Sequence, residues 1–280
     1  MINQTAKNFI RHDYSVVQCL NCAAYYIDPL IDFTLEEWKQ LYSSEYFEYA
    51  SEWLVKQREK DLNYRFAVID NYVKKGNVNF LDIGCGEGNA LLKAHKRGWN
   101  LNAVDISDLR NSEAKNNTAI NFIESALPEA KLPENTYDVI YLDSVLEHVL
   151  NPLEYLTEIK RILAPGGIVY IGVPNEDALM NEVRKFAFIL KGRKGLSTRL
   201  RPFDSPYHVV GFNYNSMNLI IDKAGLSKVY FRNFGRKFDF LGFKPGSFDF
   251  WQSLVTLPFE FIGALSKKDI YFEMILKKSY

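Results

Sequence analysis

The segment LDIGCGEG, residues 81–88, constrains this chain more than any other feature. It completes the apolar run VNFLDIG (78–84), which reads as a buried strand, and leads into Asn89–Arg97, which reads as a helix. Glycine at 84, 86 and 88 permits positive φ at the strand-to-helix turn and lets the backbone approach a ligand closely. The same alternation continues downstream. LNAVDI (101–106) predicts a second strand, followed by a short helix from about Ser107 and a strand near Ile120–Ile123. YDVIYLD (137–143), a helix from near Pro152 that ends before Pro165-Gly166-Gly167, and the strand IVYIGVP (168–174) come next. Strands separated by single helices imply right-handed crossovers, hence an α/β, Rossmann-like, mostly parallel sheet with helices on both faces. Strands around Lys228–Arg232 and Ile270–Leu276 complete it.

The flanks divide the chain into a lead-in and helical cap (1–75) and a sheet domain (76–280). Residues 1–30 read as irregular or β-rich, and 34–75 as helical, with Thr34 as N-cap and Glu36 and Glu37 in the first turn. The segments 175–225 and 233–269 are too long for plain loops. They read as insertions forming a lid over the sheet's carboxyl edge, where open α/β sheets bind ligands. Thirty-four basic and thirty-four acidic residues leave no net charge, so nothing draws the whole chain toward nucleic acid. Three cysteines make no disulfide framework, and no apolar signal segment follows Met1, which predicts a cytoplasmic chain. Phe248–Leu265 is apolar, but Asp249, Pro258, Glu260 and Gly263 interrupt it too often for a membrane span.

A dinucleotide fingerprint would need glycine at 89, where this chain has Asn89, and no Lys-Ser/Thr follows to make a phosphate loop. Glu87 would repel a pyrophosphate. S-adenosylmethionine has no phosphate and carries a sulfonium and an ammonium, so Asp82 and Glu87 suit it better than NAD. Asp105 ends the second strand about twenty residues after the glycines, where an acidic side chain accepts both ribose hydroxyls; the other reading is a cap for the segment after it. Cys85 reads as a small residue filling the cofactor loop.

LDIGCGEG, the Asp105 strand end, YDVIYLDSVLEHVLNP and LAPGGIVYIGVPN together resemble class I methyltransferases, in particular the branch similar to ubiquinone-biosynthesis and surface-glycan O-methyltransferases. The resemblance covers residues 76–175. It implies a seven-stranded sheet whose last pair forms a reversed hairpin, with S-adenosyl-L-methionine as cofactor and S-adenosyl-L-homocysteine as product. The cofactor would lie along Asp82, Gly84, Cys85, Gly86 and Gly88, then Asp105 and Ile106. Glu124, Ser125 and Ala126 would contact adenine, although many relatives have Asp at about Ser125. Asp143 would lie beside the methionine end, and Tyr46, next to Phe47, would either fold over the cofactor or pack between helices.

Methyl transfer to a hydroxyl needs alignment and proton removal, for which histidine is suited. His148, on the carboxyl edge, reads as a general base or as a brace together with Glu147. His208 reads as facing the acceptor from the lid or as a helix cap, with Tyr207, Phe212 and Tyr214 as pocket walls or core. Ubiquinone-type relatives carry a metal-binding Glu three residues before the Glu-His pair; Ser144 stands there, so no metal is assigned. Cys19 and Cys22 look like the second half of a zinc ribbon without its first half, which predicts a metal-free knuckle.

Between Glu182 and Asp204 the chain carries Arg184, Lys185, Lys191, Arg193, Lys194, Arg199 and Arg201 and no acid. This stretch (184–201) could lie on an anionic membrane surface, grip a phosphorylated acceptor, or form an amphipathic lid with a solvated basic face. The function expected is methylation of a hydroxyl on a small-molecule or lipid-linked acceptor, such as a glycan sugar, a phosphorylated metabolite or a quinone precursor. N-methylation and non-catalytic binding of S-adenosylmethionine are the alternatives.

Overall fold

The computed structural model describes residues 4–31, 33–42, 52–74, 76–190, 192, 207–235 and 242–279. Among them, seven strands form one sheet: β3 (Asn79–Ile83), β4 (Asn100–Asp105), β5 (Ile120–Glu124), β6 (Tyr137–Asp143), β7 (Leu163–Pro174), β9 (Leu226–Phe234) and β10 (Tyr271–Lys278). Their spatial order is β5-β4-β3-β6-β7-β10-β9. β3 to β7 pair in parallel, and β10 runs antiparallel to both β7 and β9. The chain therefore leaves β3 toward β4 on one side and returns to β6 on the other. The carboxyl ends of β3 and β6 flank the crevice where such sheets bind ligands.

The sheet strands are apolar runs because both faces are covered. Along β7, Ile168 and Tyr170 join one core, while Val169, Ile171 and Val173 join the other. The first core packs under α3 (Glu52–Asp70) and α4 (Asn89–His95), where Phe66, Phe80 and Trp99 lie ring to ring. The second lies under α6 (Pro152–Ile162) and α8 (Tyr214–Lys223) and takes in Ala6, Ile27 and Leu41 from the N-terminal segment.

Several boundaries differ from the sequence reading. The lead-in folds as α1 (Gln4–Lys7) and a β1–β2 hairpin (Ser15–Gln18, Tyr25–Asp28), and β2 also pairs with β8 (Val210–Gly211). The 34–75 stretch, read as helical, holds two described helices. α2 (Leu35–Leu41) starts on a Thr34–Glu37 capping box, as Thr34 predicts, and α3 is separate. The helix expected from Ser107 starts instead at Ser112 (α5, Ser112–Asn116), because Asn111 is the residue that caps it. Pro165-Gly166-Gly167 does not delimit β7 but lies inside it, accommodated by a register shift between Tyr137 and Val139.

The segment 175–225 is only partly insertion. α8, capped by Asn213 with Ser216, is a sheet-covering helix. α7 (Leu179–Leu190) leaves the carboxyl end of β7 and packs against α9 (Phe248–Leu265), which joins β9 to β10. The last strand pair is thus antiparallel, as the reversed hairpin predicts, but a helix rather than a tight turn connects it.

Candidate active site

The glycine loop is built from the backbone. Gly84, Gly86 and Gly88 all have positive φ, and a Cβ at Gly84 would meet Val145 Cγ2 at 2.6 Å. The loop is tied to the end of β4: Gly86 N–H donates to Asp105 Oδ2 at 2.9 Å, and Ser107 N–H donates to Oδ1 at 3.4 Å. Burial pushes the Asp105 carboxyl up from its usual range, and the N–H groups of Gly86, Ser107 and Ile106 act in the opposite sense. Asp105 also registers beside Glu124, and Ser125 N–H donates to its carbonyl at 2.9 Å. The fold therefore brings Asp105, Ile106, Ser125 and Ala126 to one end of the sheet beside the loop. Glu124 itself turns to Lys39 of α2, 2.6 Å away.

Asp82 is buried at the end of β3, with Oδ2 lacking a hydrogen-bond partner. Burial, followed by the charges of Asp105 and Asp143, holds its carboxyl well above the ordinary value. A cluster of carboxylates of this kind calls for a cation. Asp143 already has one: Arg65 of α3 donates to its Oδ2, and Tyr271 donates to Oδ1 at 2.7 Å. Arg65 also pairs with Glu273 at 2.7 Å, a carboxylate only 1% exposed, and Arg232 meets that carboxylate from the other side at 3.0 Å.

The second half of the site lies in the turn after β6. Glu147 is 1% exposed, and neither carboxylate oxygen has a hydrogen-bond partner of ordinary geometry. Burial, with the nearby charges of Asp143 and Glu176, pushes it up to about 8. His208 Nε2 lies 3.9 Å from Glu147 Oε1, and its Nδ1 lies 3.8 Å from Glu176 Oε1. His148 Nε2 lies 4.0 Å from the same Glu147 oxygen. His148 Nδ1 stands 3.0 Å from the Tyr207 carbonyl and 3.0 Å from the Tyr42 hydroxyl. A carbonyl only accepts, so the Tyr207 contact puts the proton on Nδ1 and leaves the lone pair of Nε2 toward Glu147. Burial, then the charge of His208, pushes His148 down to about 3.

A methyltransferase-domain family model matches residues 38–229, well over half of the chain. The chain belongs to the methyltransferase domain family. Its sheet order and S-adenosylmethionine-type glycine loop are those of the class I, S-adenosylmethionine-dependent branch. A ubiquinone biosynthesis O-methyltransferase of Rickettsia bellii is 30% identical over 120 residues, 41% of this chain and 50% of the relative. One from a Caulobacter species is 33% identical over 104 residues, 35% of this chain and 41% of the relative. The chain thus spans about half the length, or less, of these curated relatives. Among solved structures, a Burkholderia thailandensis 1,6-didemethyltoxoflavin-N1-methyltransferase aligns with TM-score 0.57 at 15% identity, covering 96% of this chain and 100% of that one. A SAM-dependent methyltransferase from Archaeoglobus fulgidus aligns with TM-score 0.53 at 19% identity, covering 79% and 94%. At these identities the structures share the fold.

In this methyltransferase domain the remaining candidates divide. Cys85 is buried and its thiol is pushed up by burial, in keeping with a loop filler. Tyr207 is buried against Tyr42 beside His148. Phe212 and Tyr214 are core rather than pocket wall: Phe212 is 2% exposed, and Tyr214 packs on Phe231 and Phe272 of β9 and β10. The cap reading of His208 fails, since Asn213 caps α8. Cys19 and Cys22 sit free at the β1–β2 turn, and among the described residues no third ligand joins them. Tyr46, Phe47 and most of the 184–201 stretch lie outside the described residues. Sequence reasoning passed over Arg65, Glu176, Tyr271 and Glu273. Glu273 had a signal, an acid inside the apolar strand IYFEMIL, which needs a buried cation opposite it.

Proposed function

We propose that this chain transfers a methyl group from S-adenosylmethionine to a hydroxyl of a small-molecule or lipid-linked acceptor, releasing S-adenosylhomocysteine. The observation that carries the reading is the convergence of the carboxylates Asp82, Asp105 and Asp143 on the glycine loop, a few residues from a Glu–His–His group of which Glu147 and His208 are buried. Bound S-adenosylmethionine supplies an electrophilic methyl group. Asp105 accepts from the ribose hydroxyls, Gly84–Gly88 and Ile106 line the cofactor, Ser125 and Ala126 meet adenine, and Asp82 offsets positive charge. Asp143, held by Arg65 and Tyr271, orders the methionine end. The bound cofactor would supply the methyl group to the acceptor oxygen, and His208 would take the hydroxyl proton. Glu176, on the Nδ1 side of the imidazole, stabilises the cation that forms. The lowered pKa of the half-buried His148 supports bracing rather than proton abstraction.

Residues 1–75 act as a cap, supported by the reach of Tyr42 to His148. The free cysteines fit a reducing, cytoplasmic setting. No described helix is long and apolar enough to cross a membrane.

A second reading rests on Glu147, His148 and His208, whose ligand atoms lie within 4.8 Å of one another. His208 supplies a donor where Ser144 does not. This nitrogen-rich set suits a divalent cation, which would polarise the acceptor hydroxyl. Titrating Mn²⁺ or Zn²⁺ into the parent and the Glu147→Gln protein tests it, and equal binding by both would exclude it.

Calorimetry with S-adenosylhomocysteine and with NADH tests the cofactor, and binding of NADH alone would overturn the proposal. Incubation with S-adenosylmethionine and catechol, sugar and phosphomonoester acceptors, read by mass spectrometry, locates the methyl group. Transfer to nitrogen only would overturn the O-methyl reading.

A further inference from the structure

Ser144, the residue after β6, has φ +57. That is the left-handed region, which a residue with a Cβ enters at a cost. Ser144 is also exposed, so burial of its side chain does not offset that cost. Hydrogen bonds hold it instead. Ser144 N–H donates to the Gly172 carbonyl of β7 at 2.9 Å, and Ser144 Oγ lies 2.8 Å from the Tyr271 hydroxyl. Backbone strain that persists because its surroundings over-determine it clusters where function needs the geometry.

Tyr271 sets the direction of these bonds. Its hydroxyl donates its one proton to Asp143 Oδ1 at 2.7 Å, because a carboxylate only accepts. The Tyr271 oxygen must then accept from Ser144 Oγ, which orders the donors from Ser144 to Tyr271 to Asp143. Gly172 leaves the space for this arrangement: a Cβ there would meet the Tyr271 hydroxyl at 2.9 Å and Asp143 Oδ1 closer still. The Tyr271 ring is held independently, with the Arg65 guanidinium 5.9 Å from its centre and Phe234 edge-on at 5.7 Å.

The turn fixed in this way touches both halves of the site. Val145, next in the chain, packs on Gly84 of the glycine loop. The short helical turn Leu146–His148 follows and carries Glu147 to His208. We infer that Ser144 and Tyr271 are a positioning pair. The shared Tyr271 hydroxyl fixes the Asp143 carboxylate at the cofactor crevice and holds the turn that closes on the glycine loop and delivers Glu147. A glycine at 144 would adopt the same φ without cost but has no hydroxyl to give Tyr271. This inference rests on the reading that Asp143 serves the methionine end of the cofactor.

Calorimetric titration of S-adenosylhomocysteine into the parent, Tyr271→Phe, Ser144→Gly, Ser144→Ala and Asp143→Asn proteins, with a melting temperature for each, tests it. Tyr271→Phe keeps the ring and removes only the hydroxyl, and its affinity should fall about three- to tenfold, the span of one lost hydrogen bond. Ser144→Gly should lose affinity by a similar factor while melting within about 2 °C of the parent or above it, because relief of the left-handed strain offsets the lost bond. A residue that only supports the fold would lose affinity together with stability. Adding Ser144→Ala to Tyr271→Phe should cost less than about a further twofold, since both act through one chain of bonds. Parent-like affinity in either Tyr271→Phe or Ser144→Gly, with Asp143→Asn weakened, overturns the inference alone. So do additive losses in the double variant, or affinities that fall only in step with melting temperature. Parent-like affinity in Asp143→Asn overturns the reading of Asp143, and the inference with it.

Discussion

Glu147 Oε1 lies 3.9 Å from His208 Nε2, so a buried carboxyl group faces an imidazole contributed by a distant loop. The two are brought together by backbone: Val209 N–H donates to the Glu147 carbonyl at 2.8 Å, which docks the 207–211 segment on the turn after β6.

Glu147 and His148 give stability opposite pH dependences. Glu147 is raised from its usual 4.5 to about 8, so its contribution is full below 4.5 and is lost as pH rises toward 8. His148 is lowered from 6.5 to about 3, so its contribution is full above 6.5 and is lost as pH falls toward 3. The two slopes oppose each other between 4.5 and 6.5, and from 6.5 to 8 only the loss from Glu147 remains. Urea unfolding of the parent and Glu147→Gln proteins at matched pH should show a difference that grows in favour of the glutamine variant from pH 6.5 to 8. A constant difference would mean that Glu147 is ionised throughout.

The two histidines should separate kinetically. His208→Ala is expected to lower kcat by about a hundred- to ten-thousand-fold, the usual range for a lost general base, with S-adenosylhomocysteine affinity unchanged. His148→Ala should lower thermal stability as well, because it removes the link between Tyr42 and the Tyr207 carbonyl. Full turnover in both variants would rule out proton abstraction by either.

What was legible in the sequence follows physical locality. The glycine loop, Asp105 and the strands from β3 to β7 announce themselves through short apolar runs and turn residues that act within a few positions. β8 is two residues long and exists only because β2 lies beside it, so no periodicity marks it. Arg65 reads as one more charge on a polar helix, and its partners Asp143 and Glu273 come from strands far along the chain. The Glu147–His208 pairing was half legible. Each residue stood out as a candidate, but their meeting depends on the docked loop.

Arg65 supports a prediction about that hidden network. Arg65→Met leaves Asp143 without its cation and Glu273 with Arg232 alone, in a buried setting. Breaking one side of such a pair costs about 3–5 kcal/mol. Chemical denaturation should show a loss of that size. Adding Asp143→Asn to the methionine variant should recover part of it, since the carboxylate left without its cation is then removed. No recovery would place the cost in packing on Tyr170 and Tyr271 instead.

Asp105 distinguishes cofactor recognition from loop bracing. Its carboxylate already accepts from Gly86 N–H, and an asparagine oxygen can keep that bond and lose only the long 3.4 Å one from Ser107 N–H, so Asp105→Asn should fold with nearly the parent's thermal stability. The ribose hydroxyls, however, would lose a charged acceptor. Hydrogen bonds to a charged group contribute about 1.5–3 kcal/mol, so affinity for S-adenosylhomocysteine should fall roughly ten- to a hundredfold by calorimetry. Asp105→Ala removes both functions and should lose stability as well as affinity. If the asparagine variant binds as the parent does, Asp105 serves the turn alone. The acceptor for the ribose would then have to be sought among the other carboxylates at this edge, of which Asp82, with one oxygen lacking a hydrogen-bond partner, is the nearest in kind.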